Sequence, residues 1–155
     1  MKNRGYGGHK GPQVTSSLAE RDEKLTFWIQ RLIDESQSGA VIVVEGSRDE
    51  RALRRIGVSG LILKANARRA VLADTLSSLL DQSREAIILT DFDRSGHELA
   101  GRISRLLVRS GRTPNMKYWV KINGLVSNEV KDIEGLAVVL EKIKERDTGY
   151  VPPPR

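Results

Sequence analysis

Three carboxylates hold positions from which they could do chemistry. Glu45 directly follows the apolar run Val41-Ile42-Val43-Val44, and Asp91 and Asp93 follow Ala86-Ile87-Ile88-Leu89-Thr90. Short β-branched runs bounded by turn residues read as buried strands of a parallel sheet. The acids then stand at the carboxyl ends of two strands, where open α/β sheets place their ligands. If the extended chain continues past Thr90, alternation points Asp91 and Asp93 the same way and turns Phe92 into the core. Converging oxygens suit a hard divalent cation, and Mg²⁺ usually takes one or two carboxylates with waters and phosphate oxygens. Acids after strands also cap helices and mark turns, so a lone Asp-x-Asp says little. Gly96, three residues after Asp93, and the second strand end at Glu45-Gly46 add weight to the metal reading.

Periodicity supplies the elements that must position these acids. Leu18, Leu25, Trp28, Ile29, Leu32 and Ile33 form an apolar stripe that predicts a helix over 16–37, with Ser17 and Glu20 at capping-box spacing. Ser47 and Glu50 repeat that spacing ahead of a helix running through Ile56, and Leu61-Ile62-Leu63 reads as a strand. A helix over 67–81 turns Leu72, Leu76, Leu79 and Leu80 inward, and a strand follows over 86–90. A helix over 95–110 buries Leu99, Ile103, Leu106 and Leu107, Tyr118 to Ile122 reads as a fourth strand, and the last helix covers 132–144. Alternating strands and helices predict an α/β fold: a parallel sheet of roughly four strands, flanked by helices on both faces. One extra helix precedes it, packed on its own sheet or on a second copy in a homodimer. A basic tail over 1–15, one domain over 16–146 and a Pro-rich tail over 147–155 complete the expected organisation.

Composition narrows the chemistry. A chain of 155 residues buries enough surface for one real core. With no cysteine, a disulfide, a thiolate zinc site and a cysteine nucleophile are excluded, and a reducing cytoplasm fits. No apolar run approaches the ~20 residues that span a bilayer, so a membrane role is not expected. The net charge of +6 favours a polyanionic partner, above all nucleic acid.

The acid-bearing segments resemble two motifs of the Toprim family. Val43-Val44-Glu45-Gly46-Ser47-Arg48-Asp49 is similar to the first, an apolar strand closing in Glu-Gly. Leu89-Thr90-Asp91-Phe92-Asp93-Arg94-Ser95-Gly96 is similar to the second, Asp-x-Asp followed by Gly. Toprim domains occur in topoisomerases, bacterial-type primases, OLD-family nucleases and a 5S rRNA-processing ribonuclease. The chain looks most like the small single-domain archaeal members, which carry Arg-Asp-x-x-x-Leu-x-x-x-Gly, here Arg48 to Gly57; the likeness spans about 16–146. The resemblance implies a Toprim fold, Glu45 as general acid or base beside the metal, and Asp91 and Asp93 as ligands of Mg²⁺, with Mn²⁺ as a substitute. Asp49, Glu98 and Asp132 are further acids that could join the site. Each has a structural alternative: a first-turn charge for Asp49, a capping box with Ser95 for Glu98, an N-cap for Asp132. Topoisomerases of type IA place a Glu directly after the Gly of the second motif, where this chain has His97.

Phosphodiester chemistry also needs a nucleophile and a substrate track. No tyrosine-bearing cleavage domain fits this length, so water is the expected nucleophile and hydrolysis the expected reaction. Arg102, Arg105, Arg109 and Arg112 recur at helical spacing, joined by Arg48, Arg51, Arg54, Arg55, Arg68, Arg69 and Arg94 and by Lys2, Arg4 and Lys10 in the tail. Arginine favours phosphate contact. Aromatic residues make up only 5%, which disfavours a wide base-stacking platform. The expectation is a metal-dependent nuclease acting on RNA somewhat more than DNA. The alternative is a non-catalytic module that binds nucleic acid or a ribonucleoprotein.

Overall fold

A computed structural model describes residues 13–66, 69–80, 84–149 and 153–154. In chain order the elements are α1 (Gln13–Gln37), β1 (Val41–Val44), α2 (Ser47–Arg55), β2 (Ile62–Lys64), α3 (Arg69–Leu80), β3 (Ala86–Ile88), α4 (Arg94–Arg109), α5 (Lys117–Val126) and α6 (Ile133–Thr148). The strands form a parallel sheet in the order β2-β1-β3, with Ile42 opposite both Ile62 and Ile87. The fold is α/β, and β1, the strand that carries Glu45, lies at its centre.

Both faces of the sheet are covered. Ile42, Val44, Ile62, Ile87 and Leu89 pack with residues of α1, α2, α5 and α6 in the larger core. Val43, Ala86 and Ile88 pack on the other face with Leu72 and Leu76 of α3 and Ala100, Ile103 and Leu107 of α4. Strands buried on both faces must be apolar throughout, which is why β1 reads as an unbroken run rather than an alternation. The first helix packs on its own sheet, through Leu25, Ile29 and Leu32. Leu18, counted in its apolar stripe, is instead 45% exposed.

The expected fourth strand over 118–122 is a helix. Tyr118, Ile122 and Val126 are buried at a spacing of four while Val120 is 56% exposed, the reverse of what a strand with Tyr118, Val120 and Ile122 on one face requires. The edge of the sheet beyond β3 is met instead by one residue. Asn115 forms an isolated parallel bridge with Ile87, accepting from Ile88 N–H and donating to Ala86 O, each at 3.0 Å.

The expected caps also shift. Ser17 lies inside α1. Helix α2 is capped by Gly46, whose N–H donates to the Asp49 carboxylate at 2.9 Å. Helix α4 is capped by Asp93, not Ser95, through a 2.7 Å bond from Gly96 N–H. An N-cap needs extended backbone and a side-chain oxygen aimed at the first-turn amides. Asp93 has both, whereas Ser95 is already helical.

Candidate functional site

Three helix N-termini and two strand ends meet at the carboxyl edge of the sheet. Glu45 leaves β1 and runs beside the residues that follow β2: Val44 O accepts from Ala65 N–H at 2.8 Å and Glu45 O from Asn66 N–H at 2.9 Å. A Cβ on Gly46 would stand 3.1 Å from the Asn66 amide, so the Glu-Gly pair lets that side chain approach. After β3, Phe92 N–H donates to Lys131 O at 2.8 Å, and Asp91 accepts Ile133 N–H at 3.0 Å. The loop from Asp91 to Gly96 is very tight. A Cβ on Gly96 would lie 2.0 Å from Asp91 O, and Thr90 Oγ1 donates to Gly96 O at 2.7 Å beneath it. This close backbone approach accounts for the glycine of the second motif.

Alternation past the strand does place Phe92 in the core. Asp91 is held against the start of α6 and Asp93 against the start of α4. Asp132 caps α6, accepting from Gly135 N–H at 2.6 Å. Glu98 pairs with Arg94 at 3.2 Å and makes no capping box. Asp91, Asp93 and Asp132 each accept a backbone amide, and Asp49 accepts from the Gly46 and Glu45 backbone. Among the described residues no group of three His, Cys, Asp or Glu side chains stands in metal-holding geometry.

The acids nonetheless act on one another. Asp91 is pushed up from 3.8 to about 6, first by burial and then by the charges of Asp49, Glu45 and Asp132, against the opposing Ile133 N–H. Asp49, which is buried, is raised in the same way, with Glu134 and Asp132 as the charges acting on it. The dominant cause in both cases is the cost of holding an anion out of water. A bound cation would relieve it, and Mg²⁺ asks only one or two carboxylates of a protein. The donor set fits that mode of binding: hard oxygens with lone pairs left over, rather than a closed cage.

Residues not singled out from sequence also frame the site. Lys64, at the end of β2, stands 3.7 Å from Glu50 and 3.5 Å from Ser47 Oγ. Trp119 donates its Nε1–H to Thr90 O at 3.1 Å and packs against Phe92 and the exposed His97. Only the parallel register of β1 with β2 and the packing of α5 bring them here, so no local pattern marks them.

The arginines divide into paired and open groups. Arg54 donates to Gly60 O at 2.5 Å, and Arg55 pairs with Glu141 of α6. Arg48 and Arg51 are exposed on α2. Arg102, Arg105 and Arg109 make no ion pair among the described residues and line two adjoining grooves on α4 of about 560 and 410 Å³. The first groove begins at His97 and Glu98, beside the Asp91–Gly96 loop. Lys2, Arg4, Lys10 and Arg68 lie outside the described residues, as do the side chains of Arg69, Leu79 and Leu80. Among the described residues no helix is long and apolar enough to cross a membrane.

Fold and site define an α/β protein with carboxylates gathered at the ends of parallel strands. The chain belongs to the UPF0292 family. It is 38% identical over 115 residues to the UPF0292 protein of Archaeoglobus fulgidus, covering 74% of this chain and 88% of that one. Over 127 residues it is 37% identical to the UPF0292 protein of Pyrococcus furiosus (82% and 92% covered) and 32% identical to that of Methanosarcina acetivorans (82% and 87%). A solved structure of an Aquifex aeolicus protein matches with a TM-score of 0.58 at 26% identity, over 71% of this chain and 95% of that one. No family model matches the chain.

Proposed function

We propose that this protein is a Toprim-type, Mg²⁺-dependent phosphoryl-transfer protein that hydrolyses phosphodiester bonds in nucleic acid, RNA ahead of DNA. The observation that carries this reading is geometric: Glu45 and Asp91 leave adjacent parallel strands at the same edge, beside Asp49 and Asp132, whose charges also act on Asp91. Burial, with the charges of Asp49, Glu45 and Asp132 added to it, raises Asp91 to about 6 at a cost in stability, and a cation site explains the cost. Asp91 and Asp93 are the proposed holders of Mg²⁺, with Glu45 beside them. Bound there, the ion supplies charge neutralisation at the phosphate. Glu45 takes a proton from the attacking water or returns one to the leaving oxygen. Arg102, Arg105 and Arg109 receive the backbone along α4, in grooves that start beside the loop bearing Asp91 and Asp93.

One observation favours a second reading, a non-catalytic binding module. Asp91 and Asp93 both already serve the fold, as a tie to α6 and a cap on α4. Incubation with end-labelled structured RNA, single-stranded RNA and duplex DNA, in Mg²⁺, Mn²⁺ or EDTA, separates the two. Metal-dependent products that disappear in the Glu45→Gln, Asp91→Asn double variant establish hydrolysis. Salt-sensitive binding by both proteins without products establishes the module instead.

A further inference from the structure

We propose that α1 and α5 present a second phosphate-binding surface for nucleic acid, on the opposite face of the sheet from the α4 arginines, so that one substrate spans both and crosses the acidic edge between them. The inference rests on the nucleic-acid reading above and extends it. Its centre is the Trp28 ring. Lys117 Nζ lies 5.3 Å, Arg31 Cζ 5.8 Å and Lys121 Nζ 5.9 Å from its centroid, and Arg31 lies 5.7 Å from that of Phe27. Three cations gathered on one ring repel one another, and the ring quadrupole offsets only part of that. No carboxylate stands within ion-pair distance of any of them among the described residues. Arg31 also donates to the Tyr118 hydroxyl, on which the Glu35 charge acts as well, so the lysines carry most of the unmatched charge; a polyanion completes the arrangement, whereas a second copy of the chain would bring the same cations face to face.

Position supports the same occupant. Helices α1 and α5 cover the sheet face opposite α4. Helix α5 reaches the acidic edge through Trp119, which bonds to Thr90 O, while Lys117 and Lys121, one turn apart, stand on the other side of that helix over Trp28. Phe27 is 53% exposed beside the cations and offers a ring on which an unstacked base can lie.

Binding of labelled structured RNA and duplex DNA is measured by anisotropy in EDTA across a salt series, so that no cleavage and no metal intervenes. The proteins are wild type, an Arg31→Ala, Lys117→Ala, Lys121→Ala triple variant, and an Arg102→Ala, Arg105→Ala, Arg109→Ala triple variant. The α1–α5 variant should keep the wild-type melting temperature and lose about tenfold or more in affinity near 100 mM salt. Its slope of log affinity against log salt should fall by about two to three, at about 0.7 to 0.9 per lost phosphate contact. Wild-type affinity and slope in that variant overturn the proposal, as does wild-type binding to anionic lipid vesicles but not to nucleic acid. Metal-dependent cleavage alongside unchanged binding would sink this surface and leave the acidic site standing. Loss of binding without any cleavage would do the converse.

Discussion

The Asp91 carboxylate accepts the Ile133 N–H at 3.0 Å, tying the end of β3 to the first turn of α6. A backbone donor and the positive end of a helix both favour the ionised acid. Burial and the charges of Asp49, Glu45 and Asp132 outweigh them, and the carboxyl is pushed up to about 6. The same residue is thus required by the fold and made uncomfortable by it. That combination is expected where a protein holds acids ready for a cation.

A pH dependence follows, and its sign is fixed. The folded value of about 6 lies above the ordinary 3.8, so between them the folded state binds the extra proton. Stability from this group is fully present below the ordinary value and is lost as pH rises through about 6. Asp91→Asn keeps the acceptor for Ile133 and removes the charge. In urea unfolding the variant should exceed wild type by on the order of 1 kcal/mol near neutral pH, after discounting for partial exposure, and the two should converge in acid. Parallel stability curves would show that Asp91 is not raised.

Two glycines of α4 should answer oppositely. A Cβ at Gly96 meets Asp91 O at 2.0 Å, backbone that cannot yield without opening the loop. Gly96→Ala should cost about 3 kcal/mol or more in denaturant unfolding. At Gly101 the nearest atom is Arg105 Nη1 at 3.4 Å, the far end of a flexible side chain. Gly101→Ala should therefore gain about 0.5–1 kcal/mol. A benign Gly96→Ala would remove the steric account of the second motif.

Much of this was readable in the residues, for identifiable reasons. Buried strands announce themselves as unbroken β-branched runs, so β1 and β3, and the acids after them, could be placed. Tyr118-Trp119-Val120-Lys121-Ile122 misleads because a five-residue run rich in aromatic and β-branched side chains fits a strand as well as a helix. Extending the pattern to Val126 reveals the period of four. Caps misled for a different reason: Ser95 and Glu98 match the spacing, but Asp93 takes the amide two residues earlier. Asn115 pairs through a single residue, which leaves no pattern. Lys64 and Asn66 reach Glu50 and Gly46 only through strand register, which is a property of the assembled sheet.

Asp93 separates folding from metal binding. Asp93→Ala removes the α4 cap and should cost about 1 kcal/mol in thermal or denaturant unfolding. Asp93→Asn retains an acceptor for Gly96 N–H and should keep most of that stability. Added Mg²⁺ should raise the melting temperature of wild type, since a ligand bound to the folded state stabilises it, and both variants should lose that rise. An undiminished Mg²⁺ response in Asp93→Asn would remove this residue from the ligand set.

The central claim is that the acids at the carboxyl edge are held together for a divalent cation, and the titration of Asp91 tests it most directly. Its side-chain carboxyl ¹³C resonance is followed against pH with and without Mg²⁺. The midpoint should lie near 6 in EDTA and fall by about one unit or more in millimolar Mg²⁺, with Glu45→Gln weakening the shift. A midpoint indifferent to Mg²⁺ would contradict the claim and leave these carboxylates as ties and caps of the fold.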